Sequence, residues 1–324
     1  MVVAVALAGC GDNGQNALDP NSGPSRDIAT LWWGMLIAAT VVFAGAAALL
    51  WVAYLRRARK GLPRLGEDDR TARGLVVGFG VAIPIVVLVA LFAVANFTVI
   101  AKTQAPAAGS TRMTIQIIGH QWFWEVRYPG SKAVTANEIH IPSRTRVDVV
   151  ATTADVIHSL WVPEINRKID MIPGHRNHIL FYADHDGVFR GQCAEYCGLQ
   201  HAHMSMKVIA EPPARFAAWL RTMASPRRAP ATPETQRGEQ VFLANACASC
   251  HAIRGTPADG TIGPDLTHLA TRGTLAALTI PNTRAALTRW IRDPQHIKPG
   301  SKMPHIDLGD RDLQAVVAYL QSLR

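Results

Sequence analysis

The chain is 324 residues long, enough for two domains or three, and its 48% hydrophobic content is unevenly spread: two long apolar runs fall in the first hundred residues and the rest reads as soluble protein. Much of the net charge of +9 sits in residues 56–73, where seven basic residues face three acidic ones beside an apolar run and with no nucleic-acid motif, so it argues for a membrane-topology signal and against a nucleic-acid surface. Five cysteines, four of them in two tight pairs near histidines, are too sparse for a secreted disulfide scaffold and point to metal or cofactor chemistry.

At the amino terminus, residues 7–10 run through small residues to Cys10 and resemble a bacterial lipoprotein cleavage site, in which the cysteine is acylated. The apolar stretch before Cys10 is short and no basic residue precedes it, a departure from an ordinary signal peptide. Residues 1–27 are read as a signal or lipobox and an external amino-terminal segment, with Cys10 as the lipidation candidate and an incidental free cysteine as the alternative.

Residues 31–55 and 74–101 contain no charged side chain, and each exceeds the roughly 20 residues a bilayer core requires. They define a transmembrane hairpin over residues 28–103. Pro84 lies inside the second run, where neighbours can satisfy the freed carbonyl, so a kink is expected there and not a break. Arg56, Arg57, Arg59, Lys60, Arg64, Arg70 and Arg73 place the connector on the cytoplasmic side. Both the amino terminus and everything after residue 103 then lie outside, on the periplasmic or extracellular face of a bacterial plasma membrane.

Past a linker-like stretch at 104–110 the hydrophobic period changes to two. Residues 113–117, 146–149 and 204–208 alternate, and Pro, Gly, Asn and Asp clusters separate them, which predicts an all-β sandwich or barrel over 104–224. A helix over 213–223 closes this domain, with Phe216, Trp219, Leu220 and Met223 on one face. Its end carries the chemistry: Cys193, Cys197, His201 and Met204 fall within twelve residues, and His158 lies upstream. Soft thiolate and thioether donors mixed with imidazole suit copper; calcium and magnesium want oxygen, and zinc has no need of Met204. His203 rivals His201, and a disulfide between the two cysteines is the alternative to a metal site.

The pattern C-x-E-x-C-x3-H-x2-M, the upstream H-S-x-W-V-P at 158–163, and the runs 119–124 and 168–174 resemble subunit II of the haem-copper cytochrome c oxidases, over residues 28 to 224. The resemblance implies a cupredoxin-like domain holding a dinuclear copper A centre. Both Cys193 and Cys197 would bridge two copper ions; His158 and His201 would bind one each, Met204 would bind weakly, and the backbone carbonyl of Glu195 would complete the set. It also implies that the Glu195 carboxylate binds a magnesium ion shared with subunit I, and that electrons enter at Trp122, whose alternative reading is a packed aromatic.

Residues 225–234 are proline-rich and read as a semi-rigid linker, one that leaves more than one domain pose open. Cys247, Cys250 and His251 then form C-x-x-C-H, the attachment motif of c-type haem. With the T-I-G-P-D-L run at 261–266 and the K-M-P run at 302–304, residues 235–324 resemble an all-α class I cytochrome c domain. That resemblance implies that Pro264 supports His251 through its carbonyl and that Met303 is the sixth ligand, with His268, His296 and His305 as rivals. It also implies a helix crossing of Gly238 and Phe242 against Tyr319 and Leu320.

Joined in one chain, the two resemblances imply the caa-type arrangement, a terminal oxidase with a fused cytochrome. Cytochrome c or an upstream cytochrome complex would reduce haem c, which would reduce copper A, which would reduce haem a in subunit I, where oxygen reduction is coupled to proton pumping. Neither membrane run contains a histidine, so the oxygen-reducing site belongs to another subunit. Nitric oxide reductases with a similar copper A subunit are one alternative and a copper-handling lipoprotein another; the covalent haem argues against the latter. Quinol oxidase subunits lack the copper ligands that are present here.

Overall fold

The computed structural model describes residues 14–57 and 68–324 of the chain. The lipidation candidate Cys10 and the middle of the basic connector lie outside the described residues. Residues 26–104 form one unit, and the other described residues form a second.

The first unit is helical. Helix α1 covers Gly23–Arg57 and α2 covers Asp69–Thr103, each 35 residues long, so both overrun the charge-free runs at either end. Asp68 caps α2 by accepting from the Thr71 N–H at 2.8 Å. The helix passes unbroken through Pro84. A π turn over Gly78–Ala82 directly precedes the proline, and this wider turn accommodates a residue with no N–H to give. Ile37, Phe43, Leu50, Val86, Leu88 and Phe92 all stand exposed along the two helices. An apolar surface of that extent is suited to lipid and not to water.

The second unit begins with ten strands in two five-stranded sheets. The strands are β1 (Met113–His120), β2 (Phe123–Arg127), β3 (Val134–Ala136), β4 (Glu138–Pro142) and β5 (Val147–Thr153), followed by β6 (His158–Trp161), β7 (Ile169–Met171), β8 (Asn177–Phe181), β9 (Gly187–Cys193) and β10 (Ser205–Glu211). One sheet is ordered β3-β2-β1-β5-β8 and the other β4-β10-β9-β6-β7. Alternate residues of the facing strands (Ile115, Ile117, Val149, Ile139, Ile141, Val208) fill the space between them. Helix α3 (Pro213–Ala224) lays Phe216 and Trp219 on this core, and the Trp219 ring packs edge-on against Tyr128 at 5.1 Å. Of the sandwich or barrel that the alternation allows, the chain forms the sandwich, as the resemblance to subunit II implies.

A feature not evident from composition is that the segment before α1 packs on this sandwich. Asn21 N–H donates to the Glu164 carbonyl at 2.9 Å, Ser25 Oγ donates to the same carbonyl at 2.9 Å, and Asp184 N–H donates to Asn21 at 3.0 Å. Residues 14–25 therefore belong with the β-sandwich, although the two long helices separate them from it in the sequence.

The carboxy-terminal part is helical: α4 (Pro233–Ala244), the short α5 (Cys247–Cys250), α6 (Arg284–Arg292), the short α7 (Pro294–Ile297) and α8 (Asp310–Ser322). Thr232 and Thr235 form a capping box that starts α4, so Pro233 and Glu234 belong to the helix and not to the linker. Gly238 is required where α4 crosses α8. A Cβ there would run into the Ala315 carbonyl and come within 2.7 Å of Tyr319 Cβ. One turn on, Phe242 meets Tyr319 edge-to-face at 6.1 Å. The linker does not hang free: Arg227 N–H donates to the Arg254 carbonyl at 3.1 Å, and the Arg227 side chain pairs with Glu239.

Candidate metal centre and haem cleft

The loop between β9 and β10 carries the sulfur ligands, and the sheet fixes both of its ends. Cys193 is the last residue of β9 and faces Leu160 of β6; its N–H donates to the Met204 carbonyl at 3.0 Å, closing the loop just before β10. His158 opens β6 and is fully buried. Strand pairing thus brings a residue 35 positions away to the loop.

The donor atoms converge. His158, Cys193 and Cys197 offer ligand atoms within 4.8 Å of one another. Cys193 Sγ lies 3.8 Å from Cys197 Sγ, 3.8 Å from His158 Nδ1 and 3.1 Å from the Glu195 carbonyl oxygen. Cys197 Sγ lies 3.6 Å from His201 Nδ1 and 3.8 Å from Met204 Sδ. Both cysteines are free, and their separation is far beyond the ~2.05 Å of a disulfide. Nitrogen and sulfur donors sharing an ion at ~2.0–2.3 Å sit about 3.3–3.8 Å apart, so the spacing fits metal bound between them. His203 is not in this cluster; its Nδ1 hydrogen-bonds Gln200 Oε1 at 2.7 Å.

Electrostatics prepare the same donors. The hydrogen bond from the Cys197 thiol, aided by His158 and backbone groups, holds Cys193 far below the usual thiol range. Sharing that proton, together with burial, pushes Cys197 up. The pair is thus biased toward one thiolate, the form of cysteine that binds metal. Burial disfavours the charged form of His158, but its hydrogen bonds to Asp155 and Cys193 outweigh it and raise its pKa.

Three neighbours, Asp155, Gly119 and Gln121, are not legible as site residues in the sequence; they act beside Trp122 and Glu195, which are. Asp155 Oδ1 binds His158 Nε2 at 2.9 Å, which directs Nδ1 toward the sulfurs. Its only local signal is a carboxylate three residues before a histidine. Gly119 leaves room for the imidazole, since a Cβ there would meet His158 Cδ2 at 2.7 Å. Gln121 Nε2 and Trp122 Nε1 both donate to the Cys197 carbonyl, at 2.8 and 3.0 Å. Glu195 turns its carbonyl inward and stands exposed, beside Tyr196 and Leu199, which are 74% and 78% exposed.

The second site is an apolar cleft lined by Phe242, Leu266, Leu275, Trp290, Ile291 and Met303, with Cys247, Cys250 and His251 along it. The His251 ring approaches the Pro264 carbonyl at 2.8 Å. A carbonyl only accepts, so Nδ1 carries the proton and Nε2 is left as the ligand atom. Burial lowers the His251 pKa, keeping the imidazole neutral as a metal requires. The residues fit a haem on two further counts. Arg272 Nε and Thr274 Oγ1 are buried beside the cleft with no partner among the described residues, and the carboxylates of a haem would supply acceptors. A Cβ at Gly263 would press on His251 Cε1 at 2.5 Å, so the ring sits closely against the chain. Met303 lines the cleft; His268, His296 and His305 do not. His268 Nε2 instead binds the Ser225 carbonyl at 3.0 Å, and His305 Nδ1 the Arg292 carbonyl at 2.6 Å.

A β-sandwich with a sulfur-imidazole cluster at one end, joined to a helical domain with a C-x-x-C-H cleft and anchored by two apolar helices, defines a membrane-bound electron-transfer protein. Residues 131–211 match the family of the periplasmic domain of cytochrome c oxidase subunit II, and residues 235–324 match the cytochrome c family. Cytochrome c oxidase subunit 2 of Alkalihalophilus pseudofirmus is 34% identical over 98% of this chain and 94% of its own length. The same subunit of Bacillus sp. strain PS3 is 27% identical over 100% of this chain and 95% of its own length. The solved periplasmic domain of cytochrome oxidase subunit II of Bradyrhizobium japonicum is 34% identical, with a TM-score of 0.34, covering 35% of this chain and 94% of that one. The chain belongs to the cytochrome c oxidase subunit 2 family and carries a cytochrome c domain at its carboxy-terminal end. It is a membrane-anchored subunit of a haem-copper oxidase with a periplasmic domain, and its two matched domains imply copper A and haem c.

Proposed function

We propose that this chain receives electrons at a haem c and passes them through a dinuclear copper A centre to haem a of subunit I, where oxygen reduction drives proton pumping. His158, Cys193, Cys197, His201, Met204 and the Glu195 carbonyl would hold the two copper ions. Cys247 and Cys250 would bond the haem, with His251 and Met303 as axial ligands and Pro264 supporting His251. When bound, the two groups supply reversible one-electron storage without making or breaking a bond. The protein's part is to keep each donor in place as charge comes and goes. Strand ends fix the copper loop, Asp155 fixes the His158 ring, and Pro264 fixes the His251 ring.

The observation that carries this reading is the position of Trp122. Its indole N–H binds the Cys197 carbonyl, and the residue also lines the haem cleft. One side chain therefore touches both sites, which supports its role as the point where electrons enter the copper domain. The exposed Glu195 carboxylate is suited to a magnesium ion at the contact with subunit I. The packing of residues 14–25 on the β-sandwich and the basic connector support an external placement of both ends at a bacterial plasma membrane, with lipidation at Cys10 as a second anchor.

The test is a rapid-mixing experiment on the intact oxidase with a reduced cytochrome donor. Reduction of haem c followed by intramolecular reduction of copper A, at a rate independent of protein concentration, supports the relay. Copper reduced before the haem, or only by collision between molecules, would overturn it.

A further inference from the structure

The loop that carries Met303 is interlocked with the loop that carries the copper ligands. Lys298 is 3% exposed, yet its ammonium has an acceptor for each N–H: the Trp122 carbonyl at 2.9 Å, the His203 carbonyl at 2.8 Å and the Ala276 carbonyl at 3.3 Å. Those acceptors come from the tryptophan between the two sites, from the copper loop and from a turn at the haem cleft. Burying a lysine is costly unless its donors are all met, so this geometry is specific to one pose. Ala276, Ala277 and Leu278 have φ of 52°, 58° and 66°, a run of left-handed residues that local sequence disfavours and that the lysine helps to hold.

Contacts beside Lys298 act in the same sense. Gln200 Nε2 donates to the Pro299 carbonyl. Leu199 packs on Gly300, where an added Cβ would sit 2.8 Å from Leu199 Cδ1. Lys302 Nζ reaches Asp155 Oδ2 at 3.5 Å, the same carboxylate that orients His158. At a second point, Gly273 N–H donates to Glu138 Oε1 of β4 at 2.9 Å.

We propose that Lys298 is a positioning residue that locks the Met303 loop onto the copper loop, holding the haem cleft over Trp122 in a single pose. The proposal rests on the relay reading for its functional consequence, while the lock itself is a property of the protein alone. The linker composition permits the cytochrome domain to search; Lys298 ends the search, so that each transfer starts from a docked state.

The experiment compares wild type with Lys298→Met, which keeps the aliphatic stem and removes the donors, in the full chain within its oxidase. Hydrogen–deuterium exchange in 199–204 and 299–303 is expected to rise about tenfold, with β1 unchanged as a control for folding. Haem-to-copper transfer is expected to slow about tenfold and to become dependent on solvent viscosity, while the absorption bands of both centres persist. Wild-type exchange in both loops, or loss of either absorption band, would overturn the lock. Absence of haem-to-copper transfer in the wild type would overturn the relay instead, and the exchange comparison would still decide the lock.

Discussion

Replacing Cys193 by serine is expected to empty the copper site while leaving the β-sandwich folded. Cys193 is the most connected donor: its sulfur lies next to Cys197 Sγ, His158 Nδ1 and the Glu195 carbonyl. It is also the thiol whose neighbours lower its pKa, so its loss removes the donor most disposed to carry negative charge toward a metal cation. A serine hydroxyl stays protonated at neutral pH and is a hard donor, unsuited to copper. Cysteine binds metal as the thiolate, so removing this one is a large loss to metal affinity. The cost to the fold is smaller, about 1–3 kcal/mol for a buried hydroxyl without a full set of partners. Copper per chain, measured on the purified oxidase, should fall below about a tenth of wild type with the haem spectrum intact. Two coppers retained in this variant would contradict the ligand assignment.

The second large effect is expected at Met303. Met303→Ala should keep haem c, because the proposed bonds from Cys247 and Cys250 would still hold it covalently, but should abolish the red absorption band expected of iron bound by methionine sulfur. Axial ligands move haem potentials across a span of ~0.8 V, and methionine sits at the high end, so a fall on the order of 0.1 V or more is expected. The haem would then bind external ligands at the vacated position. Spectra and a redox titration check both. An unchanged band would shift the assignment to another side chain, although His268, His296 and His305 all lie away from the cleft.

Much of this was legible in the sequence because the signals are local. Charge-free runs longer than a bilayer define the two helices, and period-two alternation defines the strands. The two cysteine motifs each pack several donors into a few residues, and the loop from Cys193 to Met204 brings them together with little help. His158 was legible only through its H-S-x-W-V-P surroundings; its closeness to the cysteines depends on β6 pairing with β9, which no local pattern reveals. The residues that tune the sites were harder to find. Asp155, Gly119, Arg272 and Lys298 act through space, and each reads in isolation as an ordinary polar or turn residue. A lysine in a surface-like K-P-G run gives no sign that three carbonyls from distant segments will bury it. The pose of the cytochrome domain followed the same rule: a proline-rich linker fixes reach and stiffness and leaves orientation to side-chain contacts.

The amino-terminal segment shows the same limit. Its serines and asparagine resemble any polar leader, yet Asn21 and Ser25 bind the backbone of a loop some 140 residues later. No local pattern in either stretch signals that pairing.

Counting metal and haem in the purified full chain, alongside an anaerobic reductive titration, bears most directly on the idea of two wired redox centres. Two coppers, one haem c and uptake of two electrons, one at each centre, are what the proposed relay predicts. A chain with haem but no copper, and with Cys193 bonded to Cys197, would contradict it.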